Sequence, residues 1–270
     1  MTNSSSIIRP LMKAVDALWN LPLRFLNGFG EMMMLLFRSC LWAVRPPYRA
    51  SLVLQQADFI GVGSLGIVAL VAIFTGGVFG LQMVEAMRKF QADVFVGSAV
   101  SLTLTREISP VLTALMVAGR AGSAIATELG SMRITEQIDA LATLAVNPVQ
   151  YLVVPRLIGS TLMMPLLTMV FNVVGMIGAY IFAVSIKGVD AGQFVYNVRY
   201  LTDLSDLSMG LIKAVFFGLA VALIACYQGY NASGGAKGVG LATMRSVVTS
   251  SVAVLIVDFI LTDILITLGM

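Results

Sequence analysis

Long uncharged apolar runs, separated by short charged clusters, dominate this chain. A hydrocarbon core about 30 Å thick takes about 20 helical residues to cross. Five runs approach or exceed that length: 59–84, bounded by Asp58 and Glu85; 94–119, interrupted by Arg106 and Glu107; 157–186, ending at Lys187; 210–230, with Lys213 near its start; and 246–268, with Asp258 and Asp263 inside it. The pattern predicts an all-α integral membrane protein with about five transmembrane helices, the transmembrane region being residues 50–270.

The preceding segment, residues 1–49, is too charged to cross a bilayer and too apolar to stand free in water. Arg24, Glu31, Arg38 and Arg45 recur at a seven-residue interval, with Phe25, Phe29, Met32 to Phe37, Leu41 and Trp42 between them. Seven residues are nearly two helical turns, so the charges form one narrow stripe on an apolar cylinder, the pattern of an amphipathic helix lying in the membrane interface. Gly28 and Gly30 are expected breaks, and Pro46 and Pro47 its expected end. The alternative is a sixth buried helix.

A second amphipathic stretch falls between the second and third spans. Over 128–144, Ile134, Ile138 and Leu141, followed by Ala145, mark an apolar stripe, with Arg133, Glu136 and Gln137 on other faces. A short helix there would suit the docking of an ATPase; the alternative is a linker helix on the membrane surface. Just before it, Ala114, Ala118, Gly122 and Ala126 recur every four residues as a ridge of small side chains along which another helix can approach.

Composition narrows the chemistry. Charged residues make up 11% of the 270, against about 25% in a soluble domain. The absence of His removes His-based triads, HExxH zinc sites and His proton relays. Cys40 and Cys226 are too few for a zinc cage and lie in apolar runs, which argues against a disulfide framework. No G-x-x-x-x-G-K-[ST] phosphate loop occurs, the glycine-rich 234–240 lacking its GK[ST] ending. The chain is therefore not expected to hydrolyse ATP itself, and no cofactor is expected in it. The net charge of +3 is scattered among apolar runs, which favours anionic lipid over nucleic acid as its counterpart. Arg9 and Lys13 are not followed by a signal-peptide core, so the chain is expected to insert through its own spans. With a cytoplasmic amino terminus, eleven Lys and Arg fall inside and five outside, so the carboxyl terminus is expected to be periplasmic.

The second span carries the most specific signal. Arg106 and Glu107 sit mid-run with Pro110 just beyond, and each ionised group there would cost about 2.5–3.5 kcal/mol on insertion scales. Adjacent helical residues point about 100° apart, so the two line a polar cavity or pair across helices; the alternative is a structural ion pair. Lys213 is the distant partner available to Glu107 or to an anionic ligand. Five spans are few for a carrier alternating between two repeats, and a homodimer would supply the second half.

These residues carry a resemblance. The run Arg106-Glu-Ile-Ser-Pro-Val-Leu-Thr-Ala-Leu115, then Ala118-Gly-Arg-Ala-Gly-Ser123 and Glu128-Leu-Gly-Ser-Met-Arg-Ile-Thr-Glu-Gln-Ile-Asp-Ala-Leu141, resembles the signature of the MlaE (YrbE) family of ABC-transporter permeases. Asn147-Pro148, Pro155-Arg156, Gly234-Gly-Ala-Lys-Gly-Val-Gly240 and Val257-Asp-Phe-Ile-Leu-Thr262 fit the same pattern, so the likeness spans about residues 50–268. It implies a homodimeric permease moving phospholipid between the two membranes of a diderm bacterium and seated in the inner membrane. The implied partners are a cytoplasmic ABC ATPase that binds ATP and Mg, a periplasmic MCE-domain protein and, often, a STAS-domain protein on the ATPase. The implied lipid cavity is lined by Arg106, Glu107 and Lys213, with Gln82 a weaker candidate. The implied ATPase contact falls on the 128–144 helix, through Glu128, Arg133, Glu136, Gln137 and Asp139. Asp258 is expected to anchor the last helix against polar neighbours such as Thr262. Competing readings are a proton-gradient-driven carrier titrating Glu107, Asp258 and Asp263, an import permease for sterol-like lipids, and a scaffold that only anchors an MCE protein.

Overall fold

The computed structural model describes residues 26–46 and 49–269; Arg9, Lys13, Arg24, Phe25 and Pro47 lie outside them. Among the described residues the chain is helical without strands, and five helices are long and apolar enough to cross a membrane.

Helix α1 covers residues 26–43 and runs unbroken through Gly28 and Gly30, so these glycines do not interrupt it. Met32, Leu35 and Leu36 pack on the bundle, and buried Ser39 returns its hydroxyl to the Leu35 carbonyl. Phe29, Phe37 and Leu41 are exposed. Glu31 lies at the edge of the packed face and accepts a hydrogen bond from the Tyr227 hydroxyl at 2.8 Å. The helix thus has two apolar faces, one on protein and one free for lipid, with the charges at their border.

The first span is α2 (Ala50–Ile60) and α3 (Val62–Arg88), broken at Gly61. The second runs Asp93–Ile134 through α4 (Val96–Thr103), a π-helical turn Leu104–Ile108, α5 (Ser109–Val117), a second π turn Ala118–Gly122, and α6 (Ser123–Ile134). The third, Val149–Ile186, is built on α8 (Val154–Tyr180). α10 (Leu204–Tyr230) and α11 (Gly235–Thr267) are the fourth and fifth. Every helix outruns its apolar run, because backbone hydrogen bonding continues past the depth at which polar side chains become tolerable.

The expected 128–144 helix is corrected. α6 continues to Ile134, Glu136 turns the chain with a left-handed φ of 59°, and only α7 (Gln137–Thr143) follows. Glu128 and Arg133 therefore belong to the second span. The proposed stripe is also split: Ile138 is buried while Ala145 is exposed. At the opposite end of the bundle lies a helix with no counterpart in the sequence reading, α9 (Ala191–Leu201), capped by the Asp190 carboxylate, which accepts from Gln193 N–H at 2.7 Å.

Small residues set the helix spacing. The ridge Ala114, Ala118, Gly122 and Ala126 is buried, and a side chain at Gly122 would meet Val221 and Ala225 of α10. An interface not anticipated joins α3 to α8, where a Cβ at Gly76 would lie 1.9 Å from the Gly175 carbonyl oxygen and one at Gly178 would lie 2.2 Å from that of Ile73. Backbone meets backbone there. Gly178→Val is expected to destabilise the chain by about 1–3 kcal/mol or more through overpacking, read as a lowered midpoint of thermal unfolding in detergent.

Candidate functional site

The π turn Leu104–Ile108 places Arg106 and Glu107 where the second span meets the fourth and fifth. Pro110, one turn on, has no N–H to offer the Arg106 carbonyl four residues back. Lys213 Nζ supplies that donor at 3.2 Å. The same ammonium donates to Glu107 Oε2 at 2.6 Å and lies 3.1 Å from Asp258 Oδ1. It is wholly buried. Such proximity requires the fourth helix to touch the π turn, and Gly210 permits it: a Cβ there would fall 2.1 Å from the Thr105 carbonyl oxygen.

Arg106 turns to a different partner. Its Nε donates to Asp206 Oδ1 at 2.6 Å, with Nη2 close to the same oxygen. Asp206 is itself buried, and its Oδ2 accepts the backbone N–H of Asp203 at 2.8 Å, capping α10. Both carboxylate oxygens are thus satisfied. Arg106 and Glu107 remain 34% and 38% exposed in the single chain, while Lys213 and Asp206 behind them are not.

Several expectations change accordingly. Arg106 and Glu107 do pair across helices, but each with its own partner. Lys213 sits behind Glu107 instead of lining an opening. Asp258 anchors its helix on Lys213; Thr262 donates to the backbone carbonyl of Asp258 and leaves the carboxylate alone. Gln82 is exposed on α3, and no described hydrogen bond joins it to the cluster. Asp263 is exposed near the end of α11.

The residues expected to face an ATPase divide into two groups. Glu128 pairs at 2.8 Å with Arg156, which is 4% exposed and also donates to the Leu152 carbonyl, so this pair ties the second span to the third. Arg133 pairs with Asp139 at 2.7 Å and stands over the Tyr230 ring, pinning α7 to the end of α6. Glu136 and Gln137 are exposed, with no side-chain partner among the described residues, and Leu144 beyond them is 73% exposed.

Sequence reasoning assigned no role to Asp206, Arg120 or Arg156. The spacing Asp203-x-x-Asp206 before an apolar run is a capping signal that would have located the first. Arg120 donates to the Phe59 carbonyl at 2.7 Å and to the Ser64 hydroxyl at 3.1 Å, satisfying backbone freed by the break at Gly61. No local pattern announces that contact, because the broken helix lies sixty residues upstream.

Fold and site define a polytopic membrane protein with a polar site in the middle of its second span. The chain belongs to the MlaE permease family: the family described as Permease MlaE matches residues 53–264. It is 37% identical to the intermembrane phospholipid transport system permease protein MlaE of Haemophilus influenzae, over 96% of this chain and 100% of that one. It is also 37% identical to a probable ABC transporter permease protein of Rickettsia felis over 94% of this chain and 98% of the relative. A probable ABC transporter permease protein of Synechocystis is 43% identical over 77% of this chain and 79% of its own length.

Proposed function

We propose that this chain is the permease subunit of an ABC system that moves phospholipid between the inner and outer membranes of a diderm bacterium, working as a homodimer. The observation that carries the reading is the half-open pair Arg106 and Glu107, each held by a buried counter-ion at mid-span. A polar site of that kind, reached from a bilayer, suits the one charged part of a lipid. The Arg106 guanidinium offers its remaining N–H groups to a phosphate through charge-assisted hydrogen bonds, and apolar walls receive the acyl chains. Exposed Met244, Val248, Val252 and Phe259 on α11 supply apolar surface for a second copy or for lipid.

In this reading ATP and Mg bind the partner ATPase, which docks on the end carrying Glu136 and Leu144. The excess of Lys and Arg on that side supports a cytoplasmic placement of that end. The other end, carrying α9 and the close of α11, then faces the periplasm and an MCE-domain partner, and a STAS-domain protein would join through the ATPase. A proton-driven carrier fits less well, since Glu107 and Asp258 share one buried ammonium and Asp263 stands apart from them.

The test is reconstitution. Arg106→Gln and Glu107→Gln are expected to assemble with ATPase and MCE partners in normal amounts, because both side chains are partly solvated and the amides still offer a hydrogen bond to the buried Asp206 and Lys213. Lipid transfer between vesicles is expected to fall at least about tenfold, a charge-assisted hydrogen bond contributing about 1.5–3 kcal/mol. Normal transfer by the assembled variants would show that cargo does not use this site.

A further inference from the structure

We infer that the site selects phospholipids with a zwitterionic headgroup, one phosphate plus one ammonium, over those whose headgroup carries only negative charge. The inference rests on the lipid-permease reading and adds the class of headgroup to it.

The charges in the cluster do not cancel. Arg106 and Lys213 face three carboxylates, Glu107, Asp206 and Asp258, so with all five ionised the cluster carries one negative charge in excess. Position matters as much as number. The wholly buried member is the cation Lys213, and the carboxylate Asp206 is 3% exposed. The two members most open to a ligand are one cation and one anion on adjacent residues, Arg106 at 34% and Glu107 at 38% exposure. A phosphate alone would meet Arg106, already neutralised by Asp206, and would add negative charge beside Glu107. A phosphate with a tethered ammonium satisfies both, its phosphate on Arg106 and its ammonium on Glu107. The excess negative charge then favours the ammonium and opposes a second anion.

Asp206 is the positioning residue in this scheme. It touches no cargo, but it holds the Arg106 guanidinium and supplies one of the three negative charges. Asp206→Asn removes that charge and keeps one acceptor oxygen, enough for Arg106 or for the Asp203 N–H but not for both. The variant is therefore expected to shift headgroup preference, which a purely structural role would leave unmoved.

The experiment uses the assembled complex with its ATPase, reconstituted with donor vesicles of phosphatidylethanolamine and phosphatidylglycerol in equal amounts with matched acyl chains. Transferred and co-purifying lipids are quantified by mass spectrometry. Phosphatidylethanolamine is expected to be favoured by about tenfold or more, the discrimination falling as salt is raised. Asp206→Asn is expected to collapse that ratio toward unity. Glu107→Gln, which leaves the α10 cap intact, serves as the second variant should Asp206→Asn fail to assemble, and it is expected to collapse the ratio of bound lipids even where overall transfer is weak. Equal handling of both lipids by the unaltered complex, or a ratio unchanged in the variants, overturns the headgroup inference while leaving the permease reading in place. Absence of any lipid transfer by the unaltered complex overturns both.

Discussion

Replacing Lys213 by methionine is expected to cost the chain its folded bundle, whereas replacing Arg106 is not. The Lys213 ammonium is completely buried and is the countercharge for Glu107 and Asp258 together. It also fills the backbone acceptor that Pro110 leaves open on the second span. Methionine preserves the volume and removes all three contacts, leaving two carboxylates facing each other at a helix junction. Breaking a buried ion pair from one side costs about 3–5 kcal/mol, a large fraction of the roughly 5–15 kcal/mol that holds a typical domain folded. The measurement is the monodisperse fraction and thermal midpoint in detergent. The triple variant Lys213→Met, Glu107→Gln, Asp258→Asn is expected to recover much of the loss, because it leaves no unpaired charge behind. A single variant as stable as the unaltered protein would mean that water reaches the ammonium and that the cluster is a solvated cavity throughout.

The second large effect concerns the ATPase. Glu136→Lys and Leu144→Glu are each expected to leave an inserted, folded permease that no longer retains its ATPase. Both side chains are exposed at the turn between the second and third spans, and neither has a side-chain partner among the described residues. Loss of a buried apolar anchor, or like charge placed at a small interface, costs several kcal/mol of binding. Asp139 is a poor site for the same test, since its ion pair with Arg133 holds α7 in place, and its replacement would disturb the platform as well as the contact. A pull-down recovering normal amounts of ATPase with both variants would make this turn a linker.

How far these features were legible in the sequence varied with their range. The five crossings could be read because a bilayer demands runs of fixed length, and that demand is local and one-dimensional. The ridge of Ala114, Ala118, Gly122 and Ala126 was legible for the same reason, as a period along one helix. The helix between the second and third spans was misplaced because apolar spacing alone does not reveal the left-handed Glu136 just beyond the end of α6; the stripe continues in the sequence across a break in the backbone. Gln82 came from the family resemblance as a weaker candidate, and the fold leaves it exposed on α3 with no described hydrogen bond to the cluster.

By itself, then, the sequence determined that this is an all-α membrane protein, where its polar interruptions fall, and that Arg106 and Glu107 require compensation. An ionised group in a hydrocarbon run is anomalous wherever its partner lies. Which partner compensates which charge was decided only by the tertiary structure. Asp206 and Arg106 are a hundred residues apart, and Lys213 and Glu107 more than that. Their pairing depends on two facts of packing: Gly210 lets α10 lie against the π turn, and Pro110 leaves a carbonyl for Lys213 to take. Contact across helices is a property of how surfaces meet in three dimensions, and neither the period nor the composition of a single helix encodes which neighbour its charges will face.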